Sequence, residues 1–223
     1  MSTQAKSRRP GFRRQFGLDR SGPNPKETRP GQPLRPWTLP NLIGYLRLAG
    51  LPVFLVLAFN SGDGRSFAAA AIYWLIAAGD YLDGFLARVT GQYSRLGSIL
   101  DPLVDRLTIL SGAVVCWNFE LLPRWALALL AVRELAMLFL AQYGLRHGVD
   151  IEVNWPGRIT VFPIMGGIWL ALFSPGWVAT ALVIWGTAMA ILATALYART
   201  GVLATRRVRA QAGDQNDKPS TFS

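Results

Sequence analysis

Apolar residues in this chain gather into long blocks, not into the alternation of half-buried strands or the single stripe of soluble amphipathic helices. The blocks fall at about 41–60, 66–89, 97–118, 122–146, 157–174 and 177–199. Each is near the ~20 residues that an α-helix needs to cross the hydrocarbon core of a bilayer. The breaks carry turn chemistry at Ser61-Gly62-Asp63-Gly64, Pro123 and Ser174-Pro175-Gly176, and segments 90–96 and 147–156 are polar or hold Pro156. The pattern predicts an all-α integral membrane protein with six transmembrane helices.

Charge sets the expected orientation. An even number of spans leaves both termini on one side. Residues 1–36 are rich in Arg, Pro and Gly, with no apolar centre of the kind a secretory signal has. They read as a basic, disordered cytoplasmic arm, opposed only by Asp19 and Glu27. Arg206, Arg207 and Arg209 mark 201–223 as a polar cytoplasmic tail, so residues 37–200 form the membrane domain, multi-pass in the plasma membrane with both ends in the cytoplasm. The formal charge of +10 resides in tails and loops, and 51% of the chain is hydrophobic. That distribution points to anionic membrane lipids as partners and excludes a nucleic-acid surface. Trp37, Trp117, Trp125, Trp155 and Trp177 near the span ends suit an interfacial belt. The single Cys116 has no disulfide partner and reads as a small core residue.

Against this background four aspartates stand out. Asp80, Asp83, Gly84, Ala87 and Arg88 lie at helical positions i, i+3, i+4, i+7 and i+8, one face of the second span. Gly97, Asp101 and Asp105 repeat every fourth residue on the third. If the eight residues between Arg88 and Gly97 turn the chain back, the carboxylates converge on the cytoplasmic side, Asp80 about 12 Å in from Arg88 at 1.5 Å per residue. Like charges in a low-dielectric setting require a cation. All-oxygen donors on helices suit Mg²⁺ or Mn²⁺, ions that commonly hold substrate phosphates. A proton or ion pathway is the competing reading. It leaves the small residues on the aspartate faces unexplained, and no second copy of the cluster marks the inverted repeat of a transporter. A purely structural network has only Arg88 and Arg106 close in sequence to pair with four acids.

Other charges inside the spans are Arg47, Arg133, Glu134 and Arg158. Burial makes each costly without a partner. Arg133 and Arg158 suit a phosphate of the substrate, Arg47 less so, while Glu134 is better explained by pairing with an arginine. His147 lies alone in a loop and is not a nucleophile candidate.

The spacing D-x-x-D-G-x-x-A-R-x8-G-x3-D-x3-D, carried by Asp80, Asp83, Gly84, Ala87, Arg88, Gly97, Asp101 and Asp105, resembles the signature of the CDP-alcohol phosphatidyltransferases at every fixed position. Looser similarity runs from about Pro40 to Tyr197. Membrane prenyltransferases also use aspartates and Mg²⁺, but in two separate motifs, and this chain has one. The resemblance implies a cytoplasm-facing metal site and a CDP-linked donor, most often CDP-diacylglycerol, with CMP as leaving group. It places Asp80, Asp83 and Asp101 on one or two divalent ions, with Asp105 completing the cluster and acting as general base. Gly84, Ala87 and Gly97 would leave room for the CDP-lipid, Arg88 would contact a phosphate or secure the cluster, and Asn41 matches a nucleotide-side position.

For the acceptor, Arg133-Glu134 and Gly157-Arg158 resemble Arg-Glu and Gly-Lys elements of the glycerophosphate-type branch, with Arg158 in place of lysine. Asp105-Arg106-Leu107 is similar to the actinobacterial cardiolipin synthase branch. Both imply a glycerol-bearing, phosphorylated acceptor bound by Arg133 and Arg158. Phosphatidylglycerol is preferred over glycerol 3-phosphate, with inositol phosphate or another alcohol as alternatives. The resemblance also implies a homodimer.

Overall fold

The computed structural model describes residues 33–146, 160–174 and 176–216. Among them are six helices: α1 Leu39–Phe59, α2 Phe67–Thr90, α3 Arg95–Asn118, α4 Arg124–Arg146, α5 Val161–Phe173 and α6 Trp177–Asn216. The protein is thus all-α, with one helix in each apolar block. The basic arm through residue 32 and the connection 147–159, with His147 and Arg158, lie outside the described residues.

Local chemistry explains where the helices begin and end. Thr38 caps α1 by accepting from the Asn41 N–H at 3.4 Å, and Pro40 occupies the first turn, where no N–H is needed. Ser66 caps α2 in the same way through the Ala69 N–H. Gly91 closes α2 in the left-handed region at φ 67°, a conformation a side chain would strain. Ser94 accepts from the Gly97 N–H at 2.9 Å, the capping bond of α3.

The chain forms two compact units, one through Gly112 and one from Ala113, so the boundary falls within α3. In the first, α1 buries Asn41, Gly44, Arg47, Leu51, Phe54 and Ala58. Spacings of three and four put them on one face. α2 offers Ala69, Tyr73, Ile76, Gly79 and Asp83 at the same spacing, and the two helices pack together. Phe54 and Tyr73 meet with ring centroids 5.2 Å apart. The shared stripe turns from apolar to charged along its length, Arg47 on one helix and Asp83 on the other.

In the second unit α6 packs on α4 and α5. A Cβ on Gly186 would stand 3.1 Å from the Ile164 backbone nitrogen, and one on Gly167 3.0 Å from the Ala179 carbonyl oxygen. Small residues bring those two backbones together, as is common between membrane helices.

Outside these faces the helices present apolar side chains, among them Leu46, Val53, Val56, Trp74, Leu75 and Val132. α1 and residues 177–196 of α6 are long and apolar enough to cross a bilayer, yet only 28% of each apolar stretch is buried within the protein. The core helix of a soluble protein would be mostly buried, so the exposed apolar surface identifies a membrane-associated protein. Trp37, Trp117, Trp125 and Trp177 are all exposed. α5 is helical over 13 residues, with 157–159 outside the described residues. α6 runs past its apolar block to Asn216, so the polar segment begins as a continuation of the helix.

Candidate functional site

The loop between α2 and α3 is clasped to the start of α1. The Leu39 N–H donates to the Gln92 side chain at 3.1 Å, and the Leu96 N–H to the Leu34 carbonyl. Asn41 sits at the centre, 2% exposed. Its Nδ2 donates to the Arg35 and Pro36 carbonyls at 3.1 Å each, and its Oδ1 accepts from the Ser94 hydroxyl at 2.8 Å. Both amide donors and the carbonyl are therefore engaged within the protein. The resemblance puts Asn41 on the nucleotide side; in the structure it also pins the α2–α3 loop to the start of α1. Gly97 belongs to the same pin, since a Cβ there would lie 2.8 Å from the Asn41 Oδ1 and 3.1 Å from the Ser94 Oγ. Its smallness is used by that packing. At Gly84 the space a Cβ would take borders the Arg88 guanidinium, Nη1 at 3.2 Å. Ala87 and Arg88 are half-buried on the same helix.

Beyond the clasp lie the aspartates. Arg47, on α1, extends into them with a side chain 2% exposed. Its Nε donates to the Ile76 carbonyl at 2.9 Å, Nη1 to Asp83 Oδ2 at 3.0 Å and Nη2 to Asp105 Oδ1 at 2.5 Å. Asp80 Oδ1 stands 3.5 Å from Nη1. One guanidinium thus gathers three of the four aspartates, from two helices. Asp101, half-buried on α3, lies within electrostatic range of Asp80 and Arg47.

The motif led us to expect carboxylates converging on a metal ion; here they converge on an arginine. Among the described residues no three Asp, Glu, His or Cys side chains are close enough together to hold one ion. The planar guanidinium fork spreads its acceptors wider than an ion with ~2.1 Å bonds would. The donor set nonetheless fits a hard divalent cation. Asp80, Asp83 and Asp105 each already turn an oxygen toward one positive centre, and Arg47 brings one positive charge to three carboxylates. All-oxygen coordination favours Mg²⁺ or Mn²⁺ over softer metals.

Arg133 and Glu134, in the second unit, are buried and paired with each other. The Arg133 Nε also donates to the Thr194 hydroxyl on α6 at 3.2 Å. Two residues escaped the functional reading of the sequence. Arg47 received little weight, although its position nine residues into α1 put it at a depth similar to Asp80 from the same end. Gly79 received none. A Cβ on it would lie 2.7 Å from the Arg47 Cδ, so the arginine stem crosses α2 only because that position is bare.

Four aspartates at this spacing, on helices that expose apolar side chains, carry the motif of a defined class of membrane transferases. The profile of the CDP-alcohol phosphatidyltransferases matches residues 37–204, most of the chain, and the protein belongs to that family. It is an enzyme of phospholipid synthesis. Among its relatives is a cardiolipin synthase (CMP-forming) of Streptomyces coelicolor, 39% identical over 179 residues, which span 77% of this chain and 83% of that protein. A probable phosphatidylglycerophosphate synthase of Mycobacterium tuberculosis is 35% identical over 128 residues, 56% of this chain and 60% of the other. A CDP-diacylglycerol–glycerol-3-phosphate 3-phosphatidyltransferase of Bacillus subtilis is 30% identical over 135 residues, 55% of this chain and 70% of the other.

Proposed function

We propose that this enzyme transfers a phosphatidyl group from CDP-diacylglycerol to a hydroxyl of phosphatidylglycerol, giving cardiolipin and CMP. One observation carries the choice of acceptor. Similarity to the cardiolipin synthase extends over 83% of that relative, whereas the phosphatidylglycerophosphate synthase aligns over 60%. Glycerol 3-phosphate is the second reading, supported by the names of the shorter matches.

In this reading Asp80, Asp83, Asp101 and Asp105 hold Mg²⁺ or Mn²⁺. The ion supplies Lewis acidity toward the donor diphosphate and offsets charge on departing CMP. Asp105 is the base. Its Oδ1 accepts from Arg47, which leaves Oδ2 to take the proton from the acceptor hydroxyl. The hydroxyl oxygen bonds to the phosphorus of the phosphatidyl group, the bond from that phosphorus to the oxygen shared with CMP breaks, and CMP leaves with that electron pair. Gly84, Ala87 and Arg88 line the donor side of α2. Arg158, with Arg133, binds the acceptor phosphate.

The six helices all span the plasma membrane in this proposal, with both termini cytoplasmic and the aspartates at the cytoplasmic end, where a soluble nucleotide and a lipid phosphate can meet. The basic arm lies on anionic headgroups, and two copies of the chain form the working dimer. The deciding experiment supplies purified protein with CDP-diacylglycerol and Mn²⁺, offers phosphatidylglycerol, glycerol 3-phosphate and inositol phosphate separately, and identifies the lipid product. Cardiolipin from the first alone is expected. Turnover only with glycerol 3-phosphate would replace the first reading by the second.

A further inference from the structure

We infer that Arg47 is the positioning residue of the aspartate cluster, a built-in cation that sets Asp83 and Asp105 for turnover while opposing the divalent ion, and that Gly79 exists to admit it. The inference rests on the reading of the aspartates as a metal site.

Three observations support it. The guanidinium is tied on three sides, by the Ile76 carbonyl, Asp83 and Asp105, so its orientation is fixed by directional bonds as well as by charge. Its partners grade outward: side-chain exposure rises from 4% at Asp83 through 28% at Asp105 to 49% at Asp80. Arg47 therefore forms the floor of a cluster whose upper carboxylates face an open side, where a ligand has access. Finally, the arginine stem crosses α2 at Gly79, where a Cβ would stand 2.7 Å from Cδ and 2.8 Å from Cγ. Gly79 directly precedes Asp80, so the opening for the arginine and the first carboxylate lie on one turn of helix.

The floor position has a distinctive electrostatic consequence. A fixed positive charge beside a divalent cation repels it, and the repulsion is large in a poorly solvated setting. Removing the charge strengthens metal binding at the same time as it frees Asp83 and Asp105 to lose the orientation turnover needs. A residue that served only to hold the helices together would do the opposite on the first count, since a loosened cluster binds metal less well.

The test measures Mn²⁺ affinity of the full-length protein in lipid nanodiscs by electron paramagnetic resonance, alongside kcat, KM and melting temperature. Failure of the wild-type protein to bind Mn²⁺ would remove the metal-site reading itself, and this inference with it. Given wild-type binding, Arg47→Gln should bind Mn²⁺ about 10-fold or more tightly than wild type, while kcat falls about 10-fold or more. Arg47→Lys keeps the charge but not the fork; its Mn²⁺ affinity should stay within about threefold of wild type with kcat still reduced. Gly79→Ala, which displaces the arginine and retains its charge, should match the lysine variant. Weaker Mn²⁺ binding by folded Arg47→Gln overturns the inference. If that variant does not fold, Gly79→Ala decides alone, and wild-type kcat in folded Gly79→Ala overturns it equally.

Discussion

Glu134, 1% exposed, is paired with its own chain neighbour, Arg133. Adjacent helical residues point about 100° apart, so the pair closes sideways along α4, and Arg133 extends further to Thr194 on α6. This is the geometry of a helix-to-helix tie. Glu134→Gln should therefore destabilise the protein by about 3 kcal/mol, because it leaves a buried guanidinium without its counter-charge. Thermal unfolding in detergent measures this. An unchanged melting temperature would show the pair to be dispensable.

In the proposed acceptor site the phosphate would then depend chiefly on Arg158. Arg158→Gln should raise the acceptor KM about 10-fold or more, about 1.4 kcal/mol of lost binding, with little change in the KM for CDP-diacylglycerol. For Arg133→Gln, loss of folded protein should dominate over any change in acceptor KM. Unchanged acceptor kinetics in both variants would place the acceptor phosphate elsewhere.

Metal dependence has a sharp signature. EDTA should abolish transfer, and Mg²⁺ or Mn²⁺ should restore it, while Ca²⁺, which prefers longer bonds and looser geometry, restores little. Full activity in EDTA would end the case for a metal role of the aspartates.

Asp101 and Asp105 differ in their surroundings and should differ in their variants. Asp105 is held by Arg47, whereas Asp101 has no such tie to the arginine among the bonds of the cluster. Asp101→Asn should raise the Mn²⁺ concentration needed for half-maximal activity. Asp105→Asn should leave CDP-lipid binding largely intact and lower kcat by roughly 10²-fold or more. Equal loss of donor binding in the two would contradict the division of roles.

Asn41→Asp tests the clasp. A carboxylate cannot donate to the Arg35 and Pro36 carbonyls, so two hydrogen bonds are lost, at about 1 kcal/mol each. Gly97→Ala should act on the same contact through its clash with Asn41 Oδ1. A nucleotide-contacting Asn41 would instead show normal stability with a raised KM for the CDP-lipid. Both quantities come from one preparation.

Much of the architecture was legible because bilayer length and turn residues constrain it tightly. The Ser61–Gly64 turn and Pro123 placed the ends of α1, α3 and α4 within two residues of those observed. The extension of α6 was not legible from hydropathy, which registers apolar runs; residues 198–211 are polar but rich in Ala and Arg, good helix formers. At the site, the motif spacing located all four aspartates, since helical periodicity fixes which residues share a face. It could not show what they face. Pairing Arg47 with Asp105 depends on the register between helices whose contacts lie 58 residues apart, and nothing local encodes that. The bonds of Asn41 were hidden for the same reason, because two of its partners are backbone carbonyls that any sequence supplies.

The bond from Arg47 to Asp83 also bears on how the protein is made. Inserted singly, α1 would carry an arginine into the bilayer and α2 two aspartates, each at a cost of about 2.5–3.5 kcal/mol at mid-membrane depth. Joined by the short turn at 60–66, the two helices can neutralise each other while still at the translocon. In the proposed topology the two helices would therefore enter the bilayer as a helical hairpin. The ion pairs that join Arg47 to Asp83 and Asp80 would then serve first as a passage into the membrane.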